Sequence, residues 1–276
     1  MGYASLDASL SFPDDNLLPS KRSILITDTL SASGNFLIHH FIVNQLKSDK
    51  HVVLVGLSQI FNHYLTIGRK LVQGVNLTLA TQKGALSFID GLTSLYSQTD
   101  GFSKSTSTTI TKPTAVLTCS TRTSSMSTSP ISKELLQNFY KVIKQTIVAR
   151  HSSIDDTRVC LIFDDLSILL YAGFNVRDIL EFVKACRMLI EKDVSPSSID
   201  DELDQEIFLK SLIYQSEYLL SVRGLGSGFS RDVSGEITIA RGPKNQDKWF
   251  RPSTLHYKAL DNNVQFFAKG FSQGVL

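Results

Sequence analysis

Short apolar runs alternate with longer stretches of helical periodicity along most of the chain. A near-continuous run such as Val52–Leu57 is typical of a strand buried on both faces of a parallel sheet. The stretch Phe36–Leu46 instead places its large apolar residues on one broad face, which predicts a helix packed on that sheet. The same patterns predict strands at Ile24–Thr27, Leu86–Ile89 and the run before Asp164, and helices from Phe61, from Ser129-Pro130 and after Asn175.

The end of the chain changes rhythm and predicts antiparallel hairpins. Turn residues at Ser234-Gly235 and at Asp261-Asn262-Asn263 each precede a short apolar run, which is a hairpin signal. Strands that alternate with helices and then end in hairpins predict one α/β sandwich domain over residues 1–276, with a mixed and mainly parallel sheet. The elements predicted in this part are a helix over Ile207–Tyr214 and strands over Tyr218–Val222, Glu236–Ala240 and Val264–Ala268.

Three segments lack the pattern of a packed element. Residues 1–22 are polar and contain prolines, which predicts a lead-in that caps or crosses a sheet. Residues 93–129 are rich in Ser and Thr and carry too few large apolar residues to offset the entropy of ordering. We predict a disordered insertion there, and a phosphorylated or substrate-reaching loop is the functional alternative. Residues 191–206 are acidic and contain no apolar run.

Composition describes an ordinary globular chain. Apolar residues make up 42% and charged residues 20%, and the net charge of +2 favours neither nucleic acid nor a membrane surface. No apolar run approaches a membrane span of about 20 residues, and no signal segment is recognisable. The isolated Cys119, Cys160 and Cys186 fit a reduced compartment and argue against a zinc site. We expect a cytoplasmic protein, with the nucleus as a second compartment.

The stretch Ser23–Lys47 has the outline of a phosphate-binding strand, loop and helix without its chemistry. The nucleotide loop G-x-x-x-x-G-K-[ST] needs glycines that let N–H groups surround phosphates, a lysine for their charge and a hydroxyl for Mg²⁺. With Gly34 aligned on the second glycine, Thr29 stands at the first, Asn35 at the lysine and Phe36 at the hydroxyl. We therefore expect no bound cofactor. Nucleotide contact across a subunit interface stays open, because helix N-termini favour anions. The degenerate loop comprises Thr29, Ser33, Gly34, Asn35 and Phe36.

A second stretch, RVCLIFDDLSILL from Arg158, matches the strand that presents the Mg²⁺-orienting acid in nucleotide hydrolases. Acidic residues often end strands, so Asp164 and Asp165 are a weak signal by themselves. Their position after a strand, loop and helix strengthens it. Because Phe36 removes the partner ligand, we do not expect this chain to hydrolyse ATP.

Other candidate sites are weaker. His39, His40 and His63 could be imagined as metal ligands, but adjacent histidines point to different sides of a helix, and hydrogen-bonded core histidines are more common. The glycines of Gly224–Gly228 fit neither the serine-hydrolase elbow nor the dinucleotide fingerprint and predict a flexible loop. We therefore predict neither a catalytic residue nor a metal site.

Basic and aromatic residues are interleaved from Ser221 onward. Basic side chains bind phosphates and aromatic rings stack on unpaired bases, so a surface for single-stranded or looped RNA is one interpretation. A solvated hairpin with aromatic residues in the core or in a subunit contact is the other. The candidate RNA or subunit contacts are Arg223, Arg231, Arg241, Lys244, Trp249 and Arg251.

Long strings of the sequence resemble a known family. The strings SGNFLIHHFIVNQLK, VLVGLSQIFNHYLTIGRKL, VNLTLA, FDDLSILLYAG, SGFSRDVSGEI and VQFFAKGFSQGVL occur in the order found in the sixth subunit of the Elongator complex. The resemblance covers the chain except for about the first twenty residues and the Ser/Thr-rich insertion.

The resemblance implies a RecA-like fold, of the P-loop NTPase type, without working nucleotide motifs. It also implies assembly with the fourth and fifth Elongator subunits in a hetero-hexameric ring, contact with the remaining Elongator core, and binding of tRNA through the assembled ring. The complex modifies wobble uridines of tRNA, and the chemistry lies in another subunit. An ATP-hydrolysing RecA-like enzyme and a stand-alone RNA-binding protein are the alternatives.

The chain departs from the family after the helix that follows Asn175. The family continues into an apolar core strand before an acidic loop, whereas here Glu191-Lys192-Asp193 runs directly into Ser, Pro and acidic residues. We therefore expect that strand to be absent and the sheet to have a gap.

Overall fold

The computed structural model describes residues 3–10, 12, 21–71, 75–96, 116–118, 128–149, 159–191, 205–246 and 250–269. The chain divides into two compact units. The first comprises Met1–Ser48, Ile67–Val75 and Glu206–Leu276, and the second comprises Asp49–Thr66 and Asn76–Gln205. The elements are α1 (Ala4–Leu10), β1 (Ile24–Thr27), α2 (Asn35–Lys47), β2 (His51–Gly56), α3 (Phe61–Leu71), α4 (Leu77–Gln82), β3 (Leu86–Asp90), α5 (Gly91–Tyr96), β4 (Val116–Thr118), α6 (Thr128–Val148), β5 (Val159–Phe163), α7 (Ser167–Tyr171), α8 (Val176–Glu191), α9 (Gln205–Gln215), β6 (Tyr218–Arg223), β7 (Gly235–Arg241), β8 (Ser253–Ala259) and β9 (Val264–Ala268).

The first unit contains a five-stranded sheet in the order β1-β6-β7-β8-β9. β1 runs parallel to β6, and each later strand is antiparallel to its predecessor. Buried and half-exposed residues alternate along β6 and β7, as expected when one face of a sheet packs on the core. The C-terminal antiparallel hairpins predicted from the turn residues are therefore confirmed.

The N-terminal segment contains a helix that the sequence pattern does not predict. Residues 4–10 form α1, and Tyr3, Leu6 and Leu10 are buried along one side of it, with spacings of three and four residues. Phe12 is also buried, and its ring lies edge-on to Tyr218 with centroids 5.0 Å apart. The helix was not predicted because its few apolar residues are widely spaced among polar ones. Residues 13–20 lie outside the described part.

The second unit contains four parallel strands in the order β4-β3-β2-β5. All six residues of β2 are buried, as its apolar run predicts. Phe88 on β3 and the α6 residues Phe139 and Ile143 are also almost completely buried. α6 contacts β2, β3 and α8. Parallel strands covered by helices are the arrangement that the alternating sequence pattern indicates.

Part of the predicted disordered insertion is regular structure. Asp90 accepts hydrogen bonds from the Thr93 N–H (2.8 Å) and the Thr93 hydroxyl (2.7 Å), and helix α5 extends to Tyr96. β4 pairs with β3 from Val116 to Thr118. The prediction of disorder was wrong at these positions, because a capping carboxylate and a neighbouring strand supply the stabilisation that the local sequence lacks. Residues 97–115 and 119–127 lie outside the described part.

The RecA-like α/β fold class is confirmed, although its strands are distributed over two sheets. The single domain over residues 1–276 stays a prediction. Across the described ranges, no helix combines the length and apolar character needed to cross a membrane.

Candidate functional site

The loop between β1 and α2 is closed on itself. The Ala32 N–H donates to the Thr29 carbonyl at 2.9 Å, and the Thr29 N–H donates in return to the Ala32 carbonyl at 3.4 Å. The Gly34 N–H donates to Asp28 Oδ2 at 2.8 Å. In a nucleotide-binding loop these N–H groups would point at phosphate oxygens. Here an aspartate carboxylate of the same loop lies at the N-terminus of α2.

The remaining loop residues extend this pattern. The Asn35 N–H donates to Ser33 Oγ at 3.3 Å, and the hydroxyls of Thr29 and Ser31 lie 3.1 Å apart. Four main-chain N–H groups, those of Thr29, Ala32, Gly34 and Asn35, thus have acceptors within the loop. From the sequence we expect the loop still to favour an anion. The Asp28 carboxylate opposes this, because it repels an anion at close range.

Phe36 fills the position of the metal-binding hydroxyl with an aromatic ring that packs into the first unit. Its centroid lies 5.1 Å from that of Tyr257, 5.9 Å from that of Phe266 and 6.3 Å from that of Tyr3. Burial raises the pKa of Tyr3 to about 12, and burial together with the charge of Asp28 raises the pKa of Tyr257. We call these four residues the aromatic cluster. It packs the start of α2 against β8 and β9.

We expect Phe36→Thr, which restores the hydroxyl found in nucleotide hydrolases, to lower the free energy of unfolding by about 2 kcal/mol. The reason is the loss of ring contacts within the aromatic cluster. Phe229→Thr is the matched control, because the Phe229 ring is 99% exposed and its loss should change stability by less than about 0.5 kcal/mol. Urea denaturation of the two variants measures the difference. Equal losses would contradict the packing role of Phe36.

Asp164, the candidate acid at the end of β5, is saturated with hydrogen bonds inside the second unit. Its carboxylate accepts from the N–H groups of Leu57 (2.7 Å), Ser58 (2.9 Å) and Gln59 (3.1 Å). It also accepts from the hydroxyls of Ser58 (2.8 Å) and Tyr64 (2.6 Å). Five donors around one carboxylate fix the loop that leads from β2 to α3. This carboxylate therefore acts as an anchor for the loop.

Tyr64 and Asp165, which lie next to Asp164, also make hydrogen bonds within the second unit. Burial, followed by the negative charge of Asp164, raises the pKa of the Tyr64 phenol, so Tyr64 stays protonated and donates. Asp165 accepts from the Ser167 N–H at 2.9 Å, at the start of α7. Among the described residues, no group of three or more His, Cys, Asp or Glu side chains could hold a metal ion.

His40, one of the three histidines weighed as metal ligands, belongs to a buried network. The Tyr3 N–H donates to His40 Nδ1 at 3.0 Å, and His40 Nε2 lies 3.1 Å from Asp7 Oδ1. A ring whose Nδ1 accepts a hydrogen bond carries its proton on Nε2, so the neutral imidazole donates to Asp7. Asn44 donates to the same Asp7 oxygen at 2.7 Å. His40 thus joins α1 to α2, and the core interpretation of this histidine is the one its geometry supports.

The predicted basic surface divides between two ends of the first sheet. Arg223 and Arg231 lie at the carboxyl end of β6, where Arg223 is opposite Glu236 at the start of β7. Arg241, at the far end of β7, is opposite Tyr218. The seven residues of β7 separate the two ends by about 20 Å. Lys244 and Arg251 belong to the same end of the sheet as Arg241. Lys244 follows Arg241 by three residues. Arg251 lies two residues before β8, whose first residue, Ser253, pairs with Ile239. Trp249 lies outside the described residues.

The loop after β6 contains a feature that the sequence interpretation passed over. Phe229 stands between Arg223 and Arg231, all three are exposed, and Gly228 before it has a φ of +91°. A Cβ placed on Gly224 would lie 3.0 Å from Ser31 Oγ, so this loop adjoins the closed loop after β1. We call residues 223–231 the glycine-rich loop. In the sequence, an aromatic residue between two arginines was the signal that could have identified this loop as a candidate site.

Asp28 was also missed. The sequence comparison with the nucleotide loop begins at Thr29, so the acid before it received no role. A carboxylate six residues before Gly34 was the only hint in the sequence.

These features define a class. The chain is an α/β protein of RecA-like fold whose phosphate loop is closed by its own carboxylate and whose strand-end acid holds a neighbouring loop. It belongs to the Elongation complex protein 6 family, whose model matches residues 3–261. The chain is therefore a subunit of Elongator.

The similarity to individual relatives extends over whole chains. The chain is 31% identical to Elongator complex protein 6 of Rattus norvegicus over 291 aligned residues, covering 99% of this chain and 100% of the rat protein. It is 30% identical to the Homo sapiens protein of the same name, over 99% of this chain and 100% of that protein. Its fold is similar to an uncharacterized protein of Pyrococcus horikoshii solved in complex with an unknown peptide. That match has a TM-score of 0.60 at 14% identity and covers 97% and 98% of the two chains.

Proposed function

We propose that this chain is a non-catalytic assembly subunit, retained for its RecA-like scaffold. The observation that carries the proposal is the closed loop after β1, in which Asp28 holds the Gly34 N–H and Phe36 is part of the aromatic cluster. Phosphoryl transfer requires phosphate charge to be neutralised and a metal to be held. Residues Asn35 and Phe36 supply neither the lysine nor the hydroxyl that would do so.

The assembly we propose is a hetero-hexameric ring with the fourth and fifth Elongator subunits, in contact with the remaining Elongator core. The ring binds tRNA and supports modification of wobble uridines, and it acts in the cytoplasm, with the nucleus as a second compartment. Membership of the Elongator family supports the assembly. The ring, its tRNA and its compartment are proposals that extend the family resemblance.

The glycine-rich loop is the part of the first unit best suited to meet RNA. Its two arginines can contact phosphates, and the Phe229 ring can stack on an unpaired base. Lys258, in contrast, pairs with Asp232 at 3.2 Å, and Lys269 pairs with Glu236 at 3.1 Å. Those two cations are already neutralised in part.

We expect the double variant Arg223→Glu with Arg231→Glu to weaken tRNA binding by the assembled ring about tenfold at 0.1 M salt. The logarithm of the tRNA binding constant falls linearly with the logarithm of the salt concentration. Two lost phosphate contacts should also reduce the steepness of this line by about two. The matched control is Arg241→Glu with Lys244→Glu, which reverses two charges at the other end of β7. Filter binding of labelled tRNA to rings purified with each variant measures both effects.

Four outcomes would contradict this proposal. Equal losses in the two double variants would remove the role of the glycine-rich loop. Tight, salt-sensitive tRNA binding by the isolated chain would favour a stand-alone RNA-binding protein. Metal-dependent ATP turnover that is abolished by Asp164→Asn with Asp165→Asn would favour the hydrolase. Native mass measurement of the co-purified complex tests the ring itself, and a lone monomer would overturn it.

A further inference from the structure

Exposed basic residues gather at the end of the first sheet where β1, β6 and β8 begin and β7 ends. The Lys244 N–H donates to the Ser216 carbonyl at 3.4 Å, just before β6. The Glu217 N–H donates to the Ser23 carbonyl at 3.1 Å, which places the residues before β1 at the same end. We call the exposed cations of these segments the amino-end patch; they are Lys21, Arg22, Arg241, Lys244 and Arg251.

Tertiary contacts hold the two arginines of β7 and β8 in this patch. Arg241 pairs with Tyr218 across the sheet. The ring of Phe250, which precedes Arg251, has its centroid 5.4 Å from that of Tyr218. Gly242 approaches the main chain before β6 so closely that a Cβ would not fit there. The patch is therefore built on fixed backbone.

Little negative charge balances the patch. Among the described residues of the segments that form this end, Glu217 is the only acid, and it is 6% exposed. Its carboxylate accepts from the Ser23 N–H at 2.7 Å. By contrast, Lys258 and Lys269 on the later strands are paired with carboxylates. In the described part of the chain, no ion pair is formed by Lys21, Arg22, Lys244 or Arg251.

The backbone at Lys21 is a second sign of function in this patch. Its φ of +59° lies in the left-handed region, which glycine and asparagine adopt more readily than lysine. A lysine in this conformation costs free energy, and such outliers concentrate at binding sites. The observation supports a role for the Lys21 charge itself.

The dimensions and chemistry of the patch suit carboxylates on an extended polypeptide. The four adjacent strand ends span about 14 Å, which four or five residues of an extended segment would cover. Guanidinium groups bind carboxylates through two parallel hydrogen bonds. Tyr214, which lies near this end and is 68% exposed, offers a hydroxyl donor as well.

RNA is the other polyanion that a basic patch could bind. Surfaces for unpaired RNA combine cations with free rings that stack on bases. At this end the Tyr218 ring is 3% exposed and packs on the rings of Phe12 and Phe250, whereas Phe229, at the opposite end of the sheet, is 99% exposed. The chain is also a subunit of a protein complex. We infer that the amino-end patch binds an extended acidic segment of a protein partner.

A labelled oligoglutamate peptide added to the full chain tests the chemistry of this patch without mutation. A carbodiimide joins lysine amines to carboxylates that touch them. We expect the peptide to be linked to Lys21 and Lys244. Lys258 and Asp232, whose atoms lie 3.2 Å apart, are the internal reference and should be linked to each other. If that internal link forms and neither Lys21 nor Lys244 is linked to the peptide, the inference fails.

A pair of double variants tests the same patch by affinity. Arg241→Glu with Lys244→Glu should weaken binding of the oligoglutamate peptide at least tenfold at about 0.1 M salt, where screening is modest. Arg223→Glu with Arg231→Glu is the matched control, because it makes the same change of charge at the opposite end of the sheet. Fluorescence anisotropy measures both affinities, and melting temperatures show whether both variants stay folded. Equal affinities would overturn the inference.

Two further outcomes decide between the possible occupants. An oligouridylate of equal charge that binds more tightly than the peptide, and is lost in the Arg241 and Lys244 variant, would assign the patch to RNA. Carbodiimide links from Lys21 or Lys244 to this chain's own acids in residues 191–206 would assign it to that segment. Either result overturns the inference about a partner. Neither affects the proposed assembly, which native mass measurement of the complex tests separately.

Discussion

Asp164→Ala is expected to lower the free energy of unfolding by about 3 kcal/mol. The substitution removes the acceptor of five hydrogen bonds, donated by Leu57, Ser58, Gln59 and Tyr64, and leaves three main-chain N–H groups of one tight loop without it. Charged hydrogen bonds are worth more than neutral ones, and orphaned donors cost free energy when solvent cannot replace the acceptor. The partial exposure of Asp164 keeps the expected loss below the sum of the five bonds. Urea denaturation followed by circular dichroism measures the change.

Asp165→Ala is the matched control for this prediction. Asp165 is the neighbouring carboxylate, and it accepts a hydrogen bond from the Ser167 N–H at 2.9 Å at the start of α7. We expect a loss of about 1 kcal/mol. If the two variants are equally stable, Asp164 is not the anchor of the loop after β2. An unchanged stability combined with lost ATP turnover would instead return Asp164 to a catalytic role.

Gly242→Ala is expected to cost about 3 kcal/mol or more. A Cβ on Gly242 would lie 2.1 Å from the Ser216 carbonyl oxygen and 2.7 Å from its carbon. The Gly242 N–H also donates to the Glu217 carbonyl at 2.8 Å, which holds the two backbones together. Glu217 in turn accepts from the Ser23 N–H at 2.7 Å. Because the clash is with main chain, no side-chain rotation can relieve it, and the end of β7 must move away from the start of β6.

Gly226→Ala is the control for the glycine prediction. Gly226 lies in the glycine-rich loop, and a Cβ there meets no atom within 4 Å. We expect its stability to be unchanged or raised by a few tenths of a kcal/mol, because alanine restricts the unfolded chain. Thermal unfolding of both variants provides the comparison. A tolerated alanine at position 242 would show that the close approach to Ser216 is not maintained in solution.

Local pattern predicted much of the fold correctly. The run Val52–Leu57 has no polar residue before Ser58, and it forms the fully buried β2. The turns at Ser234-Gly235 and before Val264 correctly predicted the strands β7 and β9, because the residues that form a turn act within a few positions of each other. The helix after Asn175 begins as predicted, with the Arg177 N–H donating to the Asn175 side chain at 2.8 Å.

Elements that depend on distant contacts were missed. α1 is stabilised by the hydrogen bonds between His40, Tyr3 and Asp7, and the donor and acceptor residues are 33 and 37 positions apart in the chain. β8 carries polar residues such as Ser253 and Lys258 and becomes a strand because β7 and β9 pair with it on either side. Its local sequence provides no strong period, and neighbouring strands outweigh weak propensity.

The candidate site shows the same division. The residue types at Asn35 and Phe36 were sufficient to predict the loss of nucleotide chemistry, since charge and metal affinity are properties of the side chain itself. Only the tertiary structure revealed what replaced that chemistry: Asp28 on the Gly34 N–H and the aromatic cluster around Phe36. Only the structure separated Arg223 from Arg241 by the length of a strand. The sequence thus determined which groups are present, whereas hydrogen-bond partners and shared surfaces were decided by folding, because it joins residues that no local pattern connects.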